Sequence, residues 1–299
     1  MASIDLRKDC SMSEMPQPAP NRWRVLALWL AGIALICTAG VLLTPSRPAP
    51  DTTRGAEPVE LGVELDAPVA ARAIPNLTGL PDASTFGTVA NAPQDATTEE
   101  IPDGPLVHPT TPVPVFDQPG GAAIAVLPTT QLGSDTWVPV IAEEPGWVQV
   151  LLPSRPNGST GWLSTQDNTL TIRSTTDRIV IDRAAFRLTL YRDHQQIGTW
   201  SVGVGTAAAP TPAGRTFVLA SMTDAKQKFS PVIFPLGIHS ATFSTYGGGP
   251  GTTGIHGWPS TDVFGRPSSD GCIRVPADAL ATFTNPIDPV PIGTPVLIR

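Results

Sequence analysis

Ile255-His256-Gly257-Trp258, followed after a polar stretch by Ser268-Ser269-Asp270-Gly271-Cys272-Ile273-Arg274-Val275, decides how this chain is read. The two segments pair an imidazole with a thiol. A free thiol has a pKa of about 8.5 and is mostly protonated near neutrality, so a reactive cysteine needs a base or a cation beside it. His256 is the candidate base. Gly257 and Gly271 permit close turns at both residues, and Gly271 would let main-chain N–H groups approach a developing oxyanion.

The cysteine count sharpens that reading. The chain has three cysteines, Cys10, Cys37 and Cys272. The run from Val25 to Leu43 carries no charge and, at about 1.5 Å rise per residue, matches a bilayer core. Arg22 and Arg24 precede it, which places residues 1–24 in the cytoplasm and everything after residue 43 outside. A cleaved signal peptide is the rival, and the length of the apolar run argues against it. Ile36 before Cys37 is too bulky for a lipid-attachment site. Cys272 is then the one exported cysteine, with no intrachain partner. In an oxidising compartment an unpaired thiol is a liability unless it is used. A small buried hydrophobe is the alternative, and the local sequence decides between them.

Composition excludes one large class. Among 299 residues there are 34 prolines and 27 glycines, and the formal net charge is −7. Sequence-independent nucleic-acid binding needs clustered Lys and Arg, so no nucleic-acid partner is expected. Thr, Val and Pro are abundant, which leans the fold toward strands joined by turns. Residues 44–105 are rich in Pro, Ala and Thr without sustained periodicity and read as a linker, with room for a short packed element near Ile74 to Leu80.

From residue 106 to 170 short apolar runs return, each bounded by Gly, Pro, Ser or Asp: Val113-Pro114-Val115-Phe116, Ala123 to Leu127, Trp137 to Ile141 and Trp147 to Leu152. Asn157-Gly158 supplies a hairpin signal before Gly161-Trp162-Leu163. This region resembles a bacterial SH3-like barrel. Its aromatics read first as core, because so small a barrel needs large side chains to fill it. Residues 177–299 form a second block. A hairpin is expected over Arg178–Arg183 and Arg187–Tyr191, then strands near Ile197 to Val204 and Arg215 to Leu219, one short helix from Pro276 to Thr284, and a closing strand at Val296–Ile298.

His256-Gly257 followed about fifteen residues later by Ser269-Asp270-Gly271-Cys272-Ile273-Arg274 resembles the signature of the L,D-transpeptidase (YkuD-like) catalytic domain. The opening hairpin, the Val204-Gly205 then Thr211-Pro212-Ala213-Gly214 turn, and the Gly293-Thr294-Pro295-Val296-Leu297-Ile298 ending follow the family order. The resemblance implies a mainly β fold and a cysteine acyltransferase acting on peptidoglycan. Cys272 would attack a stem tetrapeptide, release its terminal D-Ala, and pass the acyl group to a diaminopimelate amine. His256 would take and return the protons, with its ring oriented by the Gly257 carbonyl. Gly271 would serve the oxyanion, and Arg274, Ser269 and Tyr246 the substrate or the loop. No metal or cofactor is implied, and carbapenem-type inhibitors would acylate the same sulfur. Together with the anchor, this places a single-pass protein in the bacterial plasma membrane with its catalytic domain facing the wall. Asp270 departs from the histidine that many members carry before Gly-Cys, and its charge would raise the thiol pKa.

Four rival readings exist. Gly249-Pro250-Gly251-Thr252-Thr253-Gly254 matches a dinucleotide fingerprint formally, but Pro250 and the lack of a following helix contradict it. A zinc site from His239, His256, Asp262 and Cys272 lacks closely spaced ligands. A wall-binding scaffold without turnover, and an L,D-carboxypeptidase using water as acceptor, stay open.

Overall fold

The computed structural model describes residues 67–70, 76–102, 104–223, 227–246 and 248–299. The expected cytoplasmic segment, the anchor at Val25 to Leu43 and most of the linker lie outside them. Among the described residues no helix is long and apolar enough to cross a membrane. The architecture is mainly β with one short α-helix.

The C-terminal half is built from two five-stranded sheets. The first runs in the order Gln195–Ser201, Arg187–Arg192, Arg178–Asp182, Pro295–Ile298, Gly214–Phe217. Its founding hairpin pairs Ile179 with Leu190 and Ile181 with Leu188, and period-2 alternation turns all four inward, where none is exposed. The second sheet runs Ile233–His239, Thr252–Gly257, Ile273–Val275, Gly203–Gly205, Arg266–Ser269. Between the sheets lies a core that includes Val204, Phe234, Leu236, Ile255, Ile273 and Val275. The helix Ala277–Phe283 closes it with Ala279, Leu280 and Phe283. Ala277, Ala279, Leu280 and Ala281 are good helix formers, yet a seven-residue segment is too short to hold alone and relies on packing against the sheet.

The N-terminal half forms one seven-stranded antiparallel sheet, ordered Ala123–Leu127, Val113–Phe116, Thr160–Ser164, Trp147–Leu151, Val138–Glu144, Pro105–Pro109, Leu170–Ser174. The strands take in the apolar runs of the sequence. The Asn157-Gly158 signal lies within a loop from Leu152 to Ser159, longer than a two-residue turn; only Gly158 of the pair has a positive φ.

Residues 82–95, read from composition as linker, are packed instead. Ala83, Thr85, Val89 and Ala92 are buried, and the backbone of this segment bonds to Val126, Arg155 and Gly158. Its apolar side chains are few and small, so its hydropathy resembles that of a solvated chain. They nonetheless fill a seam whose other wall comes from elsewhere.

Residues 62–299 are one compact unit. Phe217 and Leu219, which follow from the C-terminal first sheet, belong to the same apolar cluster as Val107, Leu127, Val138 and Val150 of the N-terminal sheet. The Phe217 ring lies so close to Gly237 that a Cβ there would meet it at 2.7 Å. Beside this cluster Arg215 makes a fork of hydrogen bonds to Asp95, Nε to Oδ2 at 2.5 Å and Nη2 to Oδ1 at 2.6 Å, and also donates to Thr97 Oγ1. The two side chains are 6% and 1% exposed. Arg173 crosses the same seam, 3.8 Å over the Trp137 ring and bonded to the Ile292 carbonyl.

Removing one partner of a desolvated ion pair strands the other charge. Asp95→Ala is therefore expected to cost about 3–5 kcal/mol in urea unfolding, and the paired replacement Asp95→Leu with Arg215→Met less than the single change.

Candidate active site

The strands Thr252–Gly257 and Ile273–Val275 run parallel, with Ile255 beside Ile273, His256 beside Arg274 and Gly257 beside Val275. Paired residues in such a ladder share a face, and faces alternate along each strand. Ile255, Ile273 and Val275 are fully buried in the core, so His256 and Arg274 take the opposite face. Cys272 precedes Arg274 by two residues and returns to that face, level with Gly254. A strand spacing of about 4.8 Å and a two-residue rise of about 6.6 Å separate the His256 and Cys272 backbones by roughly 8 Å along a diagonal. Both side chains therefore project from the same face of the sheet.

The His256 ring is held on several sides. Its Nδ1–H donates to the Gly257 carbonyl at 2.8 Å, and since a carbonyl only accepts, Nε2 keeps its lone pair. Phe229 packs edge-on against the ring at 4.9 Å, with Trp258 at 6.0 Å. The residue is 6% exposed. Burial, opposed by the Gly257 hydrogen bond and assisted by the Arg274 charge, pushes its pKa below the ordinary histidine range. The imidazole is thus neutral at neutral pH and able to accept a proton.

Cys272 is a free, partly exposed thiol. Burial raises its pKa and Asp270 adds to the rise, while a main-chain hydrogen bond from Gly254 and the Arg274 charge oppose it. The resting pair is therefore thiol and imidazole, not thiolate and imidazolium.

The loop that presents the sulfur is strapped at each peptide. Ser269 Oγ donates to the Cys272 carbonyl at 2.5 Å and accepts the Gly271 N–H at 3.2 Å. Thr211 Oγ1 donates to the Gly271 carbonyl and accepts the Gly205 N–H, both at 2.8 Å. The Tyr246 hydroxyl donates to the Asp270 carbonyl. Gly271 has φ +119°, and a Cβ on it would meet the Tyr246 hydroxyl at 3.1 Å. Arg274 stacks 3.6 Å over Trp258 and donates to the Ser268 carbonyl.

These contacts refine the roles expected of the site residues. His256, Gly257, Cys272 and Arg274 come together on one pair of strands. Ser269, expected at the substrate, is 4% exposed and spends its hydroxyl on the Cys272 loop. The Gly271 N–H, expected to face an oxyanion, points at Ser269, so what Gly271 contributes here is its backbone conformation. Tyr246 touches the loop rather than the sulfur's far side, and burial raises its pKa, which keeps it a donor. His239 stands away from this group, fully buried against Thr85. Among the described residues no set of three or more His, Cys, Asp and Glu is arranged to hold a metal ion.

Sequence reading missed Ser230 and Phe229. Ser230 Oγ accepts the Gly257 N–H at 2.8 Å and donates to the Val232 carbonyl at 2.6 Å. Gln227 Oε1 in turn accepts the N–H groups of Phe229 and Ser230, each at 3.0 Å. Ser230 before Pro231 carries a turn signal, but nothing in the pattern names a partner 27 residues away.

Two substitutions test this geometry. Ser230→Ala leaves the Gly257 amide unpaired and frees the carbonyl that holds the ring; the His256 titration followed by imidazole NMR is expected to move further down, with about 1–3 kcal/mol lost in unfolding. Asp270→Asn removes a charge that raises the thiol pKa, so the rate of Cys272 alkylation by iodoacetamide is expected to rise at a lower pH than in the wild type.

Comparison with known proteins bears on the same residues. Positions 176–298 match the family model of the L,D-transpeptidase catalytic domain, YkuD. A search of curated proteins gives no match. Similar solved structures include L,D-transpeptidase 3 from Mycobacterium tuberculosis, 14% identical, covering 48% of this chain and 76% of that one with a TM-score of 0.35. An L,D-transpeptidase from Mycobacterium smegmatis is 15% identical, covering 67% and 99% with a TM-score of 0.37. The L,D-transpeptidase LdtMt1, in complex with imipenem, is 13% identical, covering 51% and 91% with a TM-score of 0.35. Both strands, Thr252–Gly257 and Ile273–Val275, and Cys272 just before the second, lie wholly within residues 176–298, the region that matches the L,D-transpeptidase catalytic domain model.

Proposed function

We propose that this protein is a peptidoglycan L,D-transpeptidase in which Cys272 is the nucleophile and His256 the general base and acid. What supports the reading is the shared face of the two strands, which carries both a neutral imidazole with a free Nε2 and a protonated thiol. In the first half-reaction Nε2 takes the thiol proton as sulfur attacks the carbonyl of the third residue of a stem tetrapeptide. The tetrahedral intermediate then collapses, the C–N bond breaks, and the imidazolium gives its proton to the departing D-Ala amine. A thioester remains on Cys272. In the second half-reaction a diaminopimelate side-chain amine attacks the thioester and passes its proton to His256, and the sulfur leaves and is reprotonated. The energy of the cleaved amide is kept in the thioester, so the cycle needs no nucleotide and no metal.

The setting follows from the same reading. The N-terminal apolar run from Val25 to Leu43 would hold the chain in the plasma membrane, with the catalytic domain on the wall side, where stem peptides lie. A carbapenem presents a strained carbonyl to the same thiol and would leave a stable adduct.

Intact-mass measurement after incubation with a carbapenem or with a stem tetrapeptide tests the proposal. The wild type is expected to gain one adduct, Cys272→Ala none, and His256→Gln to react about 10²–10⁴-fold more slowly. A wild type that stays unmodified under reducing conditions would turn the assignment toward a wall-binding scaffold. Product analysis with and without an acceptor stem separates transfer from hydrolysis.

A further inference from the structure

The strand that carries His256 is held in place from outside the catalytic domain. Its partner strand, Ile233–His239, pairs regularly through Ile233–His256, Phe234–Ile255 and Pro235–Gly254, and then the register breaks. Pairing resumes only at His239 with Thr252, so the stretch between Pro235 and His239 bulges against the two-residue step from Gly254 back to Thr252. A bulge leaves the ladder locally unpaired and free to re-aim the strand. Gly254, level with Cys272 across the parallel strands, lies at its edge.

What fixes the resumed pair comes from the N-terminal half. Asn157 clamps the His239 backbone from both sides: its Nδ2 donates to the His239 carbonyl and its Oδ1 accepts the His239 N–H, each at 2.8 Å. Thr85 closes the other side. Its carbonyl accepts from His239 Nε2 at 2.8 Å, and its hydroxyl lies 3.1 Å from that nitrogen and 3.3 Å from Thr252 Oγ1. Arg155 adds a hydrogen bond to the Pro250 carbonyl, just ahead of the strand. Thr85 and His239 are buried and Thr252 half-buried; burial holds His239 neutral, with its pKa pushed down to about 4. Directional hydrogen bonds inside such a seam are costly to replace.

We infer that Thr85 and Asn157 are positioning residues for the reaction: across the bulge they set where the strand Thr252–Gly257 begins, and so hold Gly254 and His256 in register with the segment that carries Cys272. The N-terminal half is then part of the catalytic apparatus. The inference rests on the function proposed above for its effect on turnover, but not for its effect on the thiol.

The test uses the full chain with Thr85→Val, Asn157→Ala, both together, Thr85→Ser, and Thr97→Val, which loosens the same seam at Arg215 without touching the strand. Three quantities are read: the rate of carbapenem acylation, the pH profile of iodoacetamide alkylation of Cys272, and the thermal midpoint. The double variant is expected to acylate at least about tenfold more slowly, the rate factor for roughly 1.4 kcal/mol, and its alkylation profile to move to higher pH as the Gly254 hydrogen bond loosens. Thr85→Ser should restore both, and Thr97→Val should lower the midpoint while leaving the profile in place. If the double variant does not fold, Thr85→Val, which loses a hydroxyl at nearly constant volume, carries the same expectation alone. Variants that fold and keep the wild-type profile overturn the inference, as does an equal shift in Thr97→Val. A wild type that alkylates but is not acylated sinks the proposed function while leaving the profile to judge this one.

Discussion

A parallel register between two short strands governs everything else in the C-terminal half. Ile255 beside Ile273 sends two aliphatic side chains into the core, and the alternation of a β-strand then leaves His256, Arg274 and Cys272 no choice of face. A slip of one residue would bury the imidazole among Leu and Phe side chains and turn the isoleucines to solvent. Hydrophobic burial, worth about 1.5–3 kcal/mol for each such side chain, therefore specifies the chemistry indirectly. The helix Ala277–Phe283 reinforces this from behind, since Leu280 packs where a Cβ on Gly257 would stand only 3.3 Å away.

Electrostatics at the site run against ready ionisation. Burial raises the thiol and lowers the imidazole, and Asp270 adds to the first effect. Arg274 and the Gly254 amide stabilise negative charge on sulfur, yet neither is large enough to reverse the direction. A sulfur kept protonated at rest is less exposed to adventitious oxidation than a standing thiolate. In the proposed reaction nucleophilicity arises with the proton transfer, so the orientation of the imidazole matters more than the resting charge. That explains why the ring is fixed by a carbonyl, two aromatics and, through Gly257, by Ser230.

Much of this was legible in the amino-acid order because it is local. The hairpin of Arg178–Asp182 and Arg187–Arg192, the strands around Val113 to Leu163 and the helix after Pro276 all carry their own periodicity and turn residues. That His256 and Cys272 lie on neighbouring strands follows no spacing rule, and only the motif resemblance pointed to the two together. What escaped is non-local. Residues 82–95 carry no apolar period, and their packing depends on a groove that other segments build. Ile233–His239 hides a bulge that only its neighbours define. Asn157 looked like turn chemistry and serves as a clamp, and Ser269 looked like a substrate contact and serves as a strap.

The seam around Phe217 and Arg215 sets a limit on how the chain can be divided. A fragment starting near residue 176 would keep the whole family-matched region yet uncover two large apolar side chains, Phe217 and Leu219, and leave the Arg215 guanidinium without its carboxylate. Such a face is sticky and would drive self-association in a recombinant preparation. Expression boundaries for crystallisation or inhibitor screening are better drawn upstream of Pro81, so that the segment covering this face travels with the enzyme.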